Sequence, residues 1–144
     1  MPLDHFSLTV PEQNLNGIVT FLTNSLQHLG ITEHMRPVPT VVAMGDTTPF
    51  LWIVGIEPND WDKKTHKGLL KTQHIAFTAE TIDDVHQFHT AGLKAGGTCN
   101  GLPGFRPDSH PGYYAAFVRD PECDINFEVV CHKGGEWSNS VGEQ

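Results

Sequence analysis

The strongest constraint on this chain is that it repeats itself. The run DHFSLT at 4–9 returns as QHIAFT at 73–78, setting His5 and His74 69 positions apart in matching contexts, and Glu57 and Glu128 stand 71 apart. Each half opens with strict alternation. Phe6, Leu8 and Val10 fall on one face and His5, Ser7 and Thr9 on the other; in the second half Ile75 and Phe77 oppose His74, Ala76 and Thr78. A helix follows each strand. Leu15, Ile18, Val19, Leu22, Leu26 and Leu29 keep the i, i+3, i+4, i+7 rhythm up to Gly30. Thr81 and Asp84 have capping-box spacing ahead of a stripe of Ile82, Val85, Phe88, Ala91 and Ala95, closed by Gly96 and Gly97. Runs at 40–44, 50–56, 113–118 and 125–130 read as strands, 99–112 as loop-rich, and 58–68 as a polar connector.

Strand, helix and strands, twice over, predict an α+β fold: two βαβββ modules forming a curved mixed sheet around an open cup, with the helices outside. Module one spans about 3–58 and module two about 71–132, within a single domain at 1–134 followed by a polar tail at 135–144. A chain of 144 residues with 38% apolar content can bury one core of that size.

His5, His74 and Glu128 take mid-strand positions on the polar faces, while Phe6, Ile75, Phe127 and Val129 take the helix-facing side. If the polar faces line the cup, two imidazoles and a carboxylate converge. That is the ligand set of a catalytic divalent metal; it suits iron, with zinc, manganese, cobalt and nickel also compatible. Its open positions would take two neighbouring substrate oxygens, stabilising an enolate as it develops. With Phe117 assigned to the helix-facing layer, Tyr114, Ala116 and Val118 turn toward the cup. Tyr114 is then a candidate hydrogen-bond donor, and His110, in SHPGYY, a candidate general base at the cup mouth. Arg106 reads as a surface residue, with contact to an anionic substrate as the alternative. Glu57 has the repeat position of a fourth ligand, but its setting beside Pro58 at a strand end suits a solvated carboxylate. His86 and His89 read as solvent-facing, and His28, His34, His66 and His132 carry no signal.

Composition excludes several partners. Nine Lys and Arg against seventeen Asp and Glu give a net charge of −8 with no basic stripe, which argues against nucleic acid and anionic membranes. No apolar run approaches the ~18 residues of a membrane span and the start does not read as a signal peptide, so a cytoplasmic location is expected. Cys99, Cys123 and Cys131 show no CxxC spacing and read as reduced thiols.

The runs LDHFSLTV, QHIAFTAETIDDVHQFHTAGLKAGG and GFRPDSHPGYYAAFVRDPECDINFEVVCH resemble the vicinal oxygen chelate superfamily, the group of glyoxalases, bleomycin-resistance proteins and extradiol dioxygenases. The likeness is to its small single-chain glyoxalase-like members and covers about residues 3–132. It implies paired βαβββ modules and a divalent metal held by His5, His74 and Glu128. The leading functional expectation is a metal-dependent lyase or isomerase acting on a small molecule with adjacent oxygen groups through a metal-stabilised enolate. An extradiol-type dioxygenase is the alternative enzyme. A non-catalytic binding or resistance protein, holding a planar ligand between walls such as Trp52 and Tyr114, is the alternative outside catalysis. The resemblance further implies a homodimer and leaves open whether His5 and His74 of one site come from one chain or two. One departure stands out: where the superfamily's last turn reads Asp-Pro-Asp-Gly, this chain has Asp120-Pro121-Glu122-Cys123, without glycine and one residue longer.

Overall fold

The computed structural model describes residues 3–57 and 59–134, with residues 60–62 described in backbone only; Pro58 and the tail at 135–144 lie outside the described residues. Module one runs β1 (Phe6–Pro11), α1 (Glu12–Leu26), β2 (Thr32–Val38), β3 (Val41–Gly45) and β4 (Pro49–Ile56). A further helix, α2 (Asp60–Lys71), leads into module two: β5 (His74–Ala79), α3 (Ile82–Lys94), β6 (Thr98–Phe105), β7 (Tyr114–Arg119) and β8 (Asn126–Cys131). The described residues form two four-stranded sheets of the same topology, β1-β4-β3-β2 and β5-β8-β7-β6. In each, the first strand pairs parallel with the last and the other pairings are antiparallel. Both sheets are thus mixed and open, as the repeat requires.

Four elements depart from the sequence reading, each for a physical reason. Strand β2 and most of β6, assigned above to no strand, are the outer edges of their sheets. Every residue of β2 is exposed, and Pro37 and Pro103 lie inside β2 and β6. An edge strand tolerates proline and, without a buried face, shows no alternation. Helix α2 occupies the stretch read as connector; its one deeply buried side chain among those described is Leu70, so no apolar stripe announced it. The first helix ends at Leu26, and a 3-10 turn at Gln27–Leu29 carries the chain to Gly30, whose φ of 80° favours glycine.

The core is continuous across both modules. Phe127 on β8 packs against Phe21 of α1, with ring centroids 6.0 Å apart, and against Phe77 of β5 at 6.3 Å; Phe77 in turn meets Phe50 of β4 at 6.3 Å. Helices α1 and α3 pack on each other, and the His28 imidazole reaches from the end of module one's helix to the Asp84 carbonyl at 2.9 Å. The capping box holds: Thr81 Oγ1 accepts from the Asp84 amide at 3.1 Å and the Asp84 carboxylate accepts from the Thr81 amide at 3.2 Å.

The β7–β8 connection shows how the chain manages without the glycine. Asp124 itself adopts a left-handed φ of 61°, which aspartate tolerates better than most residues. Asp120, 3% exposed, accepts from the amides of Glu122, Cys123 and Ile125 at 2.8, 2.7 and 2.7 Å. Burial pushes the Asp120 carboxyl above its usual range, against these three hydrogen bonds, which favour the anion.

Candidate metal centre

Glu128 is the anchor of the site. It is only 3% exposed, in the interior strand β8, between Ala76 of β5 and Phe117 of β7. Its Oε2 meets His74 Nε2 at 2.7 Å, and its Oε1 accepts a short hydrogen bond from the Tyr113 hydroxyl. A buried carboxylate is tolerable only with such partners. The opposite nitrogen of His74, Nδ1, lies 3.1 Å from the Asn126 carbonyl, which fixes the ring. Burial, then the hydrogen bond and charge of Glu128, push the Tyr113 hydroxyl up to about 12, so at neutral pH it remains a proton donor.

The structure brings together two of the three expected ligands. His74 and Glu128 touch; His5 stands before β1, exposed, with its Nδ1 2.6 Å from the Asp4 carboxylate. Among the described residues no group of three His, Cys, Asp or Glu is placed to hold a metal ion. The donor set at His74 and Glu128 fits a divalent cation as far as it goes: one imidazole and one carboxylate on a single sheet face, with small Ala76 beside them.

The repeat places Glu57 differently from what the offset suggests. Ser7 stands opposite Trp52 in the first sheet as Ala76 stands opposite Glu128 in the second, and Ser7 and Ala76 each follow their histidine by two residues. The true counterpart of Glu128 is therefore Trp52. Glu57 lies beyond the end of β4, exposed, in a cleft with Glu12, Lys63 and Glu122.

The orientation expected for β7 is reversed. Phe117 is paired with Glu128 and stacks on His74 at 5.8 Å, so Phe117, Ala115 and Tyr113 share the Glu128 face. Tyr114, Ala116 and Val118 turn toward α3: the Tyr114 hydroxyl is 2.8 Å from His86 Nε2, and a Cβ on Gly92 would stand 3.2 Å from Val118 Cγ1. Tyr114 is accordingly not on the cup face; Tyr113 is the tyrosine that meets the site. Assigning Phe117 to the helix layer by its size caused the inversion, because Tyr113/Ala115/Phe117 and Tyr114/Ala116/Val118 are almost equally apolar. The β-branched Val118 was the available signal for the packed side.

His110 borders the site through Tyr113, ring edge to ring face, with centroids 5.3 Å apart. Its Nδ1 accepts from the Gly112 amide at 3.2 Å, which leaves the proton on Nε2, and Nε2 donates to His132 Nδ1 at 2.9 Å. Both nitrogens are thus engaged, so a general base here must first release a partner. His132, which gave no sequence signal, is part of this cluster and contacts Tyr113 at 5.3 Å. The remaining histidines are also engaged: His34 and His66 with the carbonyls of Asp46 and Thr9, and His89 with Cys99 Sγ at 3.1 Å.

Comparison with solved structures agrees with the topology. The chain is similar to a glyoxalase/bleomycin resistance protein from Albidiferax ferrireducens, with TM-score 0.62 and 20% identity over 87% of this chain and 95% of that one. It is similar also to a glyoxalase/bleomycin resistance protein/dioxygenase family enzyme from Burkholderia phytofirmans, with TM-score 0.61 and 13% identity over 91% and 98% of the two chains. A lactoylglutathione lyase from Agrobacterium tumefaciens matches with TM-score 0.58 and 14% identity over 92% and 97%. No family profile matches the sequence, and no curated protein does. The fold is the one that these glyoxalase-like structures share. No helix of the described residues is long and apolar enough to cross a membrane.

Proposed function

We propose that this chain is a glyoxalase-like, metal-dependent lyase or isomerase for a small molecule with adjacent oxygen groups, working as a cytoplasmic homodimer. The contact of His74 with the buried Glu128 carries the reading: an imidazole and a carboxylate, fixed by Asn126 and Tyr113, are aimed onto one open sheet face. His5 is the third ligand. Since it stands apart from the pair within the chain, a second copy supplies it, the first strand of one copy meeting the second sheet of the other.

A divalent cation held there supplies Lewis-acid polarisation of substrate oxygens. The chain's own residues do the rest. Tyr113 keeps its proton, holds Glu128 Oε1 and fixes the carboxylate's direction. Phe117 backs the His74 ring and gives a flat apolar floor beside it. His110, once its unprotonated Nδ1 is released from the Gly112 amide, has a basic nitrogen next to Tyr113 with which to take a proton from substrate carbon.

Metal analysis of the purified protein tests the reading. The parent is expected to hold about one divalent ion per site, and His74→Ala, Glu128→Ala and His5→Ala each to lose most of it, as removal of one of three ligands should. A parent without metal, or full occupancy in all three variants, would overturn it.

A further inference from the structure

Arg106 is a cation beside the candidate centre, and neither the metal ligands nor the acid–base groups there need it. Its guanidinium lies over the Phe117 ring, 5.4 Å from Cζ to the centroid, and the same ring stacks on His74. Glycine makes that position available: a Cβ at Gly101 would stand 2.7 Å from Phe117 Cδ2 and 3.2 Å from Arg106 Nη2, and one at Gly104 would stand 3.1 Å from Arg106 Nη1. Any larger residue at Gly101 would push the ring or the guanidinium aside.

Its hydrogen bonds go to main-chain carbonyls, Leu102 at 2.7 Å and Phe105 at 3.4 Å. Among the described residues Arg106 meets no carboxylate, although the chain carries seventeen Asp and Glu. Arg36 pairs with Glu33 at 2.9 Å and Lys133 with Glu80 at 2.8 Å, whereas Arg119 donates to the carbonyls of Lys71 and Asp124 at the base of its own turn, away from the candidate centre. A guanidinium has five N–H donors in a planar fork, so most of this one's donors have no protein acceptor. Its charge is felt at the site, where it opposes the upward push of burial on Tyr113. A fixed cation one ring away from the pair selects for an anionic group on the substrate.

We infer that Arg106 binds an oxyanion carried by the substrate, a carboxylate or a phosphoryl group, seating it over Phe117 beside the His74–Glu128 pair. The inference rests on the reading of that pair as the reaction site. It narrows the substrate to small molecules that bear an anionic oxygen group close to the two reacting oxygens.

Titration calorimetry on the purified protein tests it with three probes: pyruvate, whose carboxylate adjoins a ketone, its uncharged analogue pyruvamide, and inorganic phosphate. The parent is expected to bind pyruvate more tightly than pyruvamide. Arg106→Ala should weaken pyruvate about ten- to hundredfold, the range for a lost charge-assisted fork, and leave pyruvamide unchanged. Arg106→Lys, which keeps the charge without the fork, should fall between. Arg106-dependent binding of phosphate, with pyruvate indifferent to the substitution, supports the subsite and assigns it to a phosphoryl group. Pyruvate and phosphate affinities that are both unchanged in Arg106→Ala, or absent from the parent, overturn it. Metal content measured on the same samples keeps the two readings separate: metal without Arg106 dependence sinks only the oxyanion subsite, and Arg106 dependence without metal sinks only the metal centre.

Discussion

The two modules share a topology and differ in what their matching positions carry. In module two the first-strand histidine reaches an interior glutamate, while in module one the equivalent of that glutamate is Trp52 and His5 turns to its neighbour Asp4. Module two also holds Tyr113, Phe117 and Arg106 on the same face. The chemistry is therefore lopsided on a symmetric frame: one sheet presents a built pair, while the other has Trp52 at the glutamate's position and its histidine outside the first strand. A duplicated fold preserves strand order and register more readily than polar content, because register is fixed by the buried face.

The sharpest way to probe the asymmetry is through the core beneath it. Phe127 and Leu51 are counterparts by register, Phe127 opposite Ile75 and Leu51 opposite Phe6, and the larger Phe127 reaches across to module one through Phe21. Denaturant unfolding of Phe127→Ala should show a loss of about 3–5 kcal/mol, and Leu51→Ala a smaller loss within the usual range of about 2–5 kcal/mol for such truncations. Equal losses would mean that the modules are equally coupled.

The turns give a second contrast. Module two closes its last hairpin on the Asp120 carboxylate, which satisfies three amides, whereas module one uses the short link from Gly45 to Pro49. Asp120→Ala leaves those amides without their acceptor and is expected to cost about 2–3 kcal/mol by the same measurement. It should also loosen the approach of β8 to β7, and with it the placement of Glu128.

The smallest difference is in acid sensitivity. His89 on α3 is held below the ordinary histidine value, first by burial and then by the charge of His86. The folded state therefore binds fewer protons than the unfolded chain below about pH 6.5, so stability present above that value falls as the pH drops through it. Stability measured against pH should decline less steeply there in His89→Gln than in the parent. An unchanged slope would place the acid sensitivity elsewhere.

Much of this arrangement is legible in the sequence. The matched strands at His5 and His74, both main helices, the capping box at Thr81 and the inward face of β8 follow from periodicity, because each buries one face. What escaped had no such face. Strands β2 and β6 are edges, and α2 buries little among its described side chains beyond Leu70. The site was half legible: His74 and Glu128 meet as their strand faces imply, but β7 was turned over, since Ala115 and Ala116 are both fully buried and give alternation nothing to hold. Spacing alone also misled at Glu57, where 71 residues suggested an equivalence that strand register assigns to Trp52.

The central claim is that each site takes its glutamate–histidine pair from one copy and His5 from another. Refolding His5→Ala and Glu128→Ala chains together in equal amounts tests it most directly. Each variant alone should bind little metal, while the mixture, in which about half the dimers are mixed and each of these has one intact site, should recover about a quarter of the parent's metal. No recovery beyond the separate variants, in a preparation shown to contain mixed dimers, would contradict a shared site.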